Sequence, residues 1–191
     1  MKITMVTSNA GKAAEVKAFF HGSLEIDHID LEVPESRSLD IAEIAYGKAR
    51  YAYGLLHIPL IIDDTGFFID ALHGFPGPYA AYVLDSIGNE GILKLMEDKD
   101  DRKARFITVI AYADEHGIRV FTGTLEGTIG LCPRGLGGFG YDPIFELGKK
   151  TLAEHSLEEK GRVSHRARAL SSFHDWFIAQ RDEKNPKHAN G

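Results

Sequence analysis

Apolar residues along the first half of this chain alternate between short continuous or every-second-residue runs and runs spaced three to four apart. Residues 3–6 form an apolar run of the kind that makes a buried strand, and residues 12–20 follow with Val16, Phe19 and Phe20 on one helical face. Residues 24–31 alternate through Leu24, Ile26 and His28 and predict a second strand, closed by the turn Val33-Pro34-Glu35. Residues 41–56 have helical spacing. Leu60-Ile61-Ile62 reads as a compact strand running straight into Asp63-Asp64-Thr65-Gly66, which puts two carboxylates at a strand end, where α/β proteins bind ligands.

A Gly/Pro-rich turn over residues 73–78 and a helix predicted over 90–96 precede a change of pattern. Residues 104–114, 119–124 and 125–131 are rich in Val, Ile, Thr and Phe and read as antiparallel strands, with turns near His116-Gly117 and at Gly123 and Gly127. Residues 132–140 hold four glycines and one proline and read as a mobile or closely approached loop. Residues 164–180 are the last strong helix, with Leu170, Phe173 and Phe177 on one face, and residues 182–191 read as a flexible tail. No linker or repeat divides the chain. The expectation is a single α/β domain over residues 1–181: a mixed, elongated central sheet with flanking helices, forming two lobes around a cleft.

Composition narrows the partners. A chain of 191 residues can bury roughly 70% of its unfolded surface, enough for one core and a binding cleft. The net charge of −6, from 22 basic against 28 acidic residues, provides no overall field for nucleic acid, so any polyanion must meet locally clustered cations and a divalent metal. Cys132 is the only cysteine, which excludes an intramolecular disulfide and favours a reducing compartment. The apolar stretch at the N-terminus is too short for a signal peptide, and no apolar run of about 18 residues occurs, so the expected location is cytoplasmic with no membrane partner.

Four segments carry candidate chemistry. Thr7, Ser8, Asn9, Ala10, Gly11 and Lys12 put hydroxyls, an amide and a cation at a helix N-terminus, where free N–H groups and the helix dipole favour phosphate; the loop lacks the earlier glycine of a Walker A motif, and an ordinary capped helix is the alternative. Asp63 and Asp64 offer oxygen ligands suited to Mg²⁺, with a plain turn as the alternative. An aspartic-protease reading of Asp-Thr-Gly fails because that chemistry needs a second such loop. Gly138-Phe139-Gly140-Tyr141-Asp142 sets aromatics and a carboxylate among glycines, able to stack on a flat base and bond its edge. Lys160, Ser164, His165, Arg166 and Arg168 cluster at the start of the last helix in an otherwise acidic chain.

Read together, Thr7-Ser8-Asn9-Ala10-Gly11-Lys12-Ala13-Ala14-Glu15, Asp63-Asp64-Thr65-Gly66, Pro76-Gly77-Pro78-Tyr79, Gly138 to Asp142 and Ser164-His165-Arg166-Ala167-Arg168-Ala169 occur in the order of five motifs of the Ham1/inosine triphosphate pyrophosphatase family, which the chain resembles over residues 7–169. The resemblance implies Mg²⁺-dependent cleavage of 6-keto purine triphosphates (ITP, dITP, XTP) to monophosphate and pyrophosphate by a homodimer. It implies that Thr7, Ser8, Asn9, Ala10, Gly11, Lys12 and Lys48 contact the phosphates, that Glu35 and Asp64 hold the metal with Glu15 in support, and that Asp64 and Lys12 are catalytic. It further implies that Thr65 touches substrate, that Phe139, Gly140, Tyr141 and Asp142 frame base and sugar, and that Lys160, His165 and Arg166 reach the base. Two positions depart from the pattern: many members have Glu at Asp63 and a basic residue near Ala81. Two other functions remain open on sequence alone, the same reaction on dUTP or standard purine triphosphates, and a nucleotide-binding regulator without turnover.

Overall fold

The structure, a computed structural model, describes residues 2–34 and 36–184. Strand β1 (Lys2–Val6) leads through the loop at Thr7 to Asn9 into helix α1 (Ala10–Phe19), and β2 (Glu25–Ile29) returns parallel to β1. Asn9 caps α1: its side-chain oxygen accepts from the Lys12 backbone N–H at 3.0 Å, meeting one of the donors a helix start leaves unpaired. Helix α2 (Ile41–Leu56) has the predicted bounds; the Asp40 side chain caps it through the Ala42 N–H, and His57 in the left-handed region ends it.

Strand β3 (Leu60–Ile69) is the central element and corrects the expected boundary. Asp63, Asp64, Thr65 and Gly66 lie inside the strand, neither at its end nor in a turn, because antiparallel β5 (Lys103–Asp114) pairs it without interruption from Leu60↔Ala113 to Ile69↔Ala104. Asp and Gly, poor in β-propensity, are carried there by the continuous ladder to β5. Short β4 (Pro76–Gly77) pairs with the end of β3, and helix α3 (Ala80–Leu95) begins ten residues earlier than predicted and breaks at Gly88, whose φ is 65°.

The two strands predicted over 119–131 are one, β6 (Gly117–Ile129). Gly123 and Gly127 read as turns because of residue type, yet both are places of close approach. A Cβ at Gly123 would stand 2.1 Å from the His165 carbonyl oxygen, and one at Gly127 would stand 2.5 Å from that of Glu146. The sheet finishes with β7 (Phe145–Leu147) and β8 (Lys150–Thr151), in the order β2-β1-β3-β5-β6-β7-β8, with β4 on β3. Helices α4 (Leu157–Val163) and α5 (His165–Lys184) close the described chain. Residues 185–191, most of the expected tail, lie outside the described residues.

Side chains of α1 and α5, among them Val16, Leu170, Phe173 and Phe177, pack with Ile3, Met5 and Ile110 on one face of the sheet, while Ile41, Ala45, Ala49 and Ala52 of α2 cover the other. A further core joins Val83 and Ile92 of α3 to Phe67, Phe106, Tyr141, Ile144 and Phe145. This is the expected mixed sheet flanked by helices, and β3 runs from one core into the other.

Candidate active site

Alternation along β3 sends neighbouring side chains to opposite faces. Asp63 points to the side of α1 and α5, where Lys12 Nζ lies 2.9 Å from its Oδ1 and Arg166 Nε donates to Oδ2 at 2.7 Å. Lys12 Nζ also donates to the Asp63 backbone carbonyl at 2.8 Å. Burial opposes ionisation of Asp63, but the charges of Arg166 and Lys12 prevail and hold its carboxyl well below the usual range. Arg166 is itself buried, and Asp63 and Glu15 keep it charged against that burial.

The network extends outward from Asp63. Arg166 Nη1 pairs with Glu15 Oε2, and Lys160 Nζ joins Glu15 Oε1 at 2.8 Å to Asp142 Oδ2 at 2.9 Å. Asp142 also accepts from the Phe139 N–H at 2.9 Å, which folds the glycine-rich loop so that the Phe139 ring sits 5.1 Å from Lys160 Nζ and 5.8 Å from the Arg166 guanidinium carbon. Both oxygens of Glu15, the residue expected to support a metal, pair with cations on the Asp63 side of the strand.

A pocket of about 140 Å³ opens over this network, lined by Asn9, Lys12, Thr65, Ala80, Ala81, Leu84, Phe106, Phe139, Gly140, Tyr141, Asp142, Lys160, His165 and Arg166. Most of the substrate-contacting residues expected from the sequence therefore meet in one place, from both ends of the chain. Gly11 packs against the Phe139 ring, Thr7 Oγ1 accepts from the Asn9 N–H at 3.1 Å, and Ser8 of the loop and Ala10, the first residue of α1, are exposed. Tyr141 is buried, its hydroxyl donating to the Ala80 carbonyl at 2.7 Å. His165 is also buried, stacked on Phe106 at 4.7 Å; burial and the Arg166 charge hold its imidazole well below the ordinary pKa, so it is neutral at pH 7.

Asp64 faces the other side of β3. Lys48 Nζ of α2 donates to its Oδ1 at 2.7 Å, and its Oδ2 is buried without a hydrogen-bond partner among the described residues. A buried carboxylate oxygen left in that state is costly unless a cation completes it. The donor chemistry therefore fits a hard divalent cation, which binds through one or two carboxylates and fills its shell with phosphate oxygens and water. No group of three acidic, His or Cys side chains converges for metal binding among the described residues, and Glu35, the other expected ligand, lies outside them. Thr65 borders both this side and the pocket.

Sequence reasoning missed several contributors. Thr108, the one aliphatic hydroxyl inside the apolar run of β5, contacts both Thr65 and His165. Asn89 Nδ2 donates to the Gly140 carbonyl at 3.1 Å, and His28 Nε2 to the Thr7 carbonyl at 2.7 Å. Only Thr108 left a trace in the sequence, as a polar residue breaking an apolar stretch.

The fold and the site define an α/β protein whose cleft combines a helix-capping loop, a buried array of cations and an aromatic wall, a combination suited to a flat molecule bearing anionic groups. Its relatives make the class specific. The chain belongs to the Ham1 family, whose model matches residues 3–176. It is 49% identical over 181 residues to the dITP/XTP pyrophosphatase of Methanopyrus kandleri, covering 93% of this chain and 96% of that protein. To the dITP/XTP pyrophosphatase of Methanosarcina mazei it is 47% identical, over 93% of this chain and 97% of the relative. The solved Staphylococcus aureus Ham1 protein superposes with a TM-score of 0.82 at 33% identity, over 94% of this chain and all of that one (100%).

Proposed function

We propose that this chain hydrolyses 6-keto purine nucleoside triphosphates, ITP, dITP and XTP, to the monophosphate and pyrophosphate, and so clears them from the nucleotide pool. The observation that carries this reading is the pocket in which the loop residues Asn9 and Lys12 meet Phe139, Lys160, His165 and Arg166. The relatives named dITP/XTP pyrophosphatase support it over nearly their whole length.

In this reading the backbone N–H groups at the start of α1 and the Lys12 ammonium receive the triphosphate, and the Phe139 face holds the purine. Lys48 keeps Asp64 in place through Oδ1, so that Oδ2 is the oxygen left to face either the divalent cation or the attacking water. Attack at the α-phosphorus gives pyrophosphate as the leaving group. Asp64, with Glu35, is the proposed holder of Mg²⁺, which when bound supplies positive charge for the phosphoryl oxygens. Donors on Arg166 and His165 select a 6-keto oxygen over a 6-amino group, which would meet them donor to donor.

The test is a panel of ITP, dITP, XTP, GTP, ATP and dUTP with and without Mg²⁺, read as pyrophosphate release. Preference for the first three, lost on chelation, is the expected result; equal rates on ATP or dUTP would defeat the substrate assignment, and nucleotide binding without pyrophosphate would defeat catalysis. Two further parts of the reading are a cytoplasmic location and a homodimer formed through the segment that exposes Phe75, Tyr79 and Tyr82. No helix among the described residues is long and apolar enough to cross a membrane.

A further inference from the structure

Thr108 is fully buried in the middle of β5, within an otherwise apolar or aromatic stretch, Ile107-Thr108-Val109-Ile110-Ala111-Tyr112-Ala113. A hydroxyl in that position costs free energy unless it is paired, and valine has nearly the same shape without the cost. Thr108 Oγ1 is paired twice, at 2.7 Å from Thr65 Oγ1 and 2.6 Å from His165 Nδ1. Each hydroxyl has one proton to give, so the chain Thr65–Thr108–His165 has only two possible directions.

Distances decide between them. For the chain to run away from His165, Thr65 would give its proton to Asp63 Oδ1, which lies 3.3 Å away, beyond the usual O–H···O range of about 2.5 to 3.0 Å. Asp63 is already served by Lys12 at 2.9 Å and Arg166 Nε at 2.7 Å. The remaining neighbour, Arg166 Nη2, also lies 3.3 Å from Thr65 and has only protons to give, so Thr108, at 2.7 Å, is the one acceptor close enough for the Thr65 proton. Thr108 then gives its proton to Nδ1, and the neutral imidazole carries its single proton on Nε2. The two ring nitrogens point to opposite sides of the imidazole; Nδ1 faces β5, and the stack on Phe106 fixes the ring plane at the pocket wall.

We propose that Thr108 is a positioning residue for base selection, holding His165 in the Nε2–H tautomer so that the ring offers the pocket a donor, never an acceptor. The inference rests on the 6-keto purine triphosphate reading and adds the device behind its selectivity. A pocket lined by Arg166, which has donors only, and by a tautomer-locked His165 rewards a carbonyl oxygen and repels an amino group. Were the lock absent, the ring could present a bare Nε2 to the amino group of adenine.

The experiment has two independent arms. Nitrogen-15 NMR of the unliganded wild-type chain reports which ring nitrogen of His165 bears the proton, and a proton on Nε2 is expected; one on Nδ1 overturns the proposal regardless of activity. Thr108→Val and Thr108→Ser are then compared for kcat/KM on ITP and ATP, with melting curves to verify folding. Thr108→Val should lower the ITP-to-ATP selectivity by about ten-fold, the size expected for losing one buried hydrogen-bond partner, and Thr108→Ser should restore it. Selectivity of Thr108→Val within about two-fold of wild type overturns the proposal. Should Thr108→Val not fold, the serine variant and the wild-type tautomer still decide. Failure of the wild-type chain to cleave ITP would strike the substrate reading instead, and the NMR arm would stand apart from it.

Discussion

Asp64 and Asp63 are adjacent and chemically identical, yet the pleat of β3 gives them different surroundings. Asp63 is locked between Lys12 and Arg166, whereas Asp64 has one oxygen on Lys48 and the other without a partner among the described residues. Asp64→Asn should therefore lower pyrophosphate release by about 100-fold or more while leaving the melting temperature near wild type, and a rate within a few-fold of wild type would remove Asp64 from the mechanism. Arg166→Met should behave differently, because it takes one of two cationic partners from each of the buried carboxylates Asp63 and Glu15, leaving them Lys12 and Lys160; a loss of about 3 kcal/mol in urea-monitored stability is expected. His165 adds a pH dependence with a definite sign. Its folded pKa lies well below the ordinary 6.5, so under that pH the unfolded chain binds the extra proton and stability falls as the solution is acidified. The slope from this group is at most about 1.4 kcal/mol per pH unit. Urea midpoints at pH 7.5 and 5.5 should separate more for wild type than for His165→Asn, and equal separations would refute the assignment.

At the scale of elements, the glycines of the strands and helices differ in what surrounds them. Gly123 lets α5 lie directly on β6, with the His165 carbonyl and the Ala169 N–H where a Cβ would be. Gly123→Ala must push α5 away, and with it His165 and Arg166, so both stability and activity should drop, the former by roughly 1 to 3 kcal/mol as in other overpacked sites. Gly54, exposed in α2 with open space where its methyl would go, should respond in the opposite direction, gaining up to about 1 kcal/mol as alanine through helix propensity. Denaturant melts of the two variants measure both signs. The regular elements were legible in the sequence where one face repeats, as in α2, whose bounds matched residue for residue. Long β3 and β6 were not, because Asp, Thr and Gly inside them resemble turn residues until the neighbouring strand and helix are known.

At the scale of the molecule, the site joins separate cores: α1, α4 and α5 supply its cations, and the segment from α3 to the glycine-rich loop supplies its aromatic wall. Tyr141 and Asn89 tie that loop to α3 through the Ala80 and Gly140 carbonyls. The proposed homodimer belongs to this scale too. Light scattering should give a mass of two chains, and Tyr82→Arg, placed on the most exposed of the three aromatics at 73% exposure, should reduce it to one; a wild-type mass of a single chain would end the proposal.

The α/β class, the main helices and the five motifs that place the chain among Ham1 proteins could be read from the order of residues, because periodicity and motif order are local properties carried by residues close together in the chain. What those motifs do to one another was set by folding. It put Asp63 and Asp64 on opposite faces of β3, turned Glu15 toward Lys160 and Arg166, and brought Thr108 against His165 across 57 positions of sequence. Those outcomes depend on strand register and on how closely helix and sheet approach, and neither quantity is encoded in any single segment.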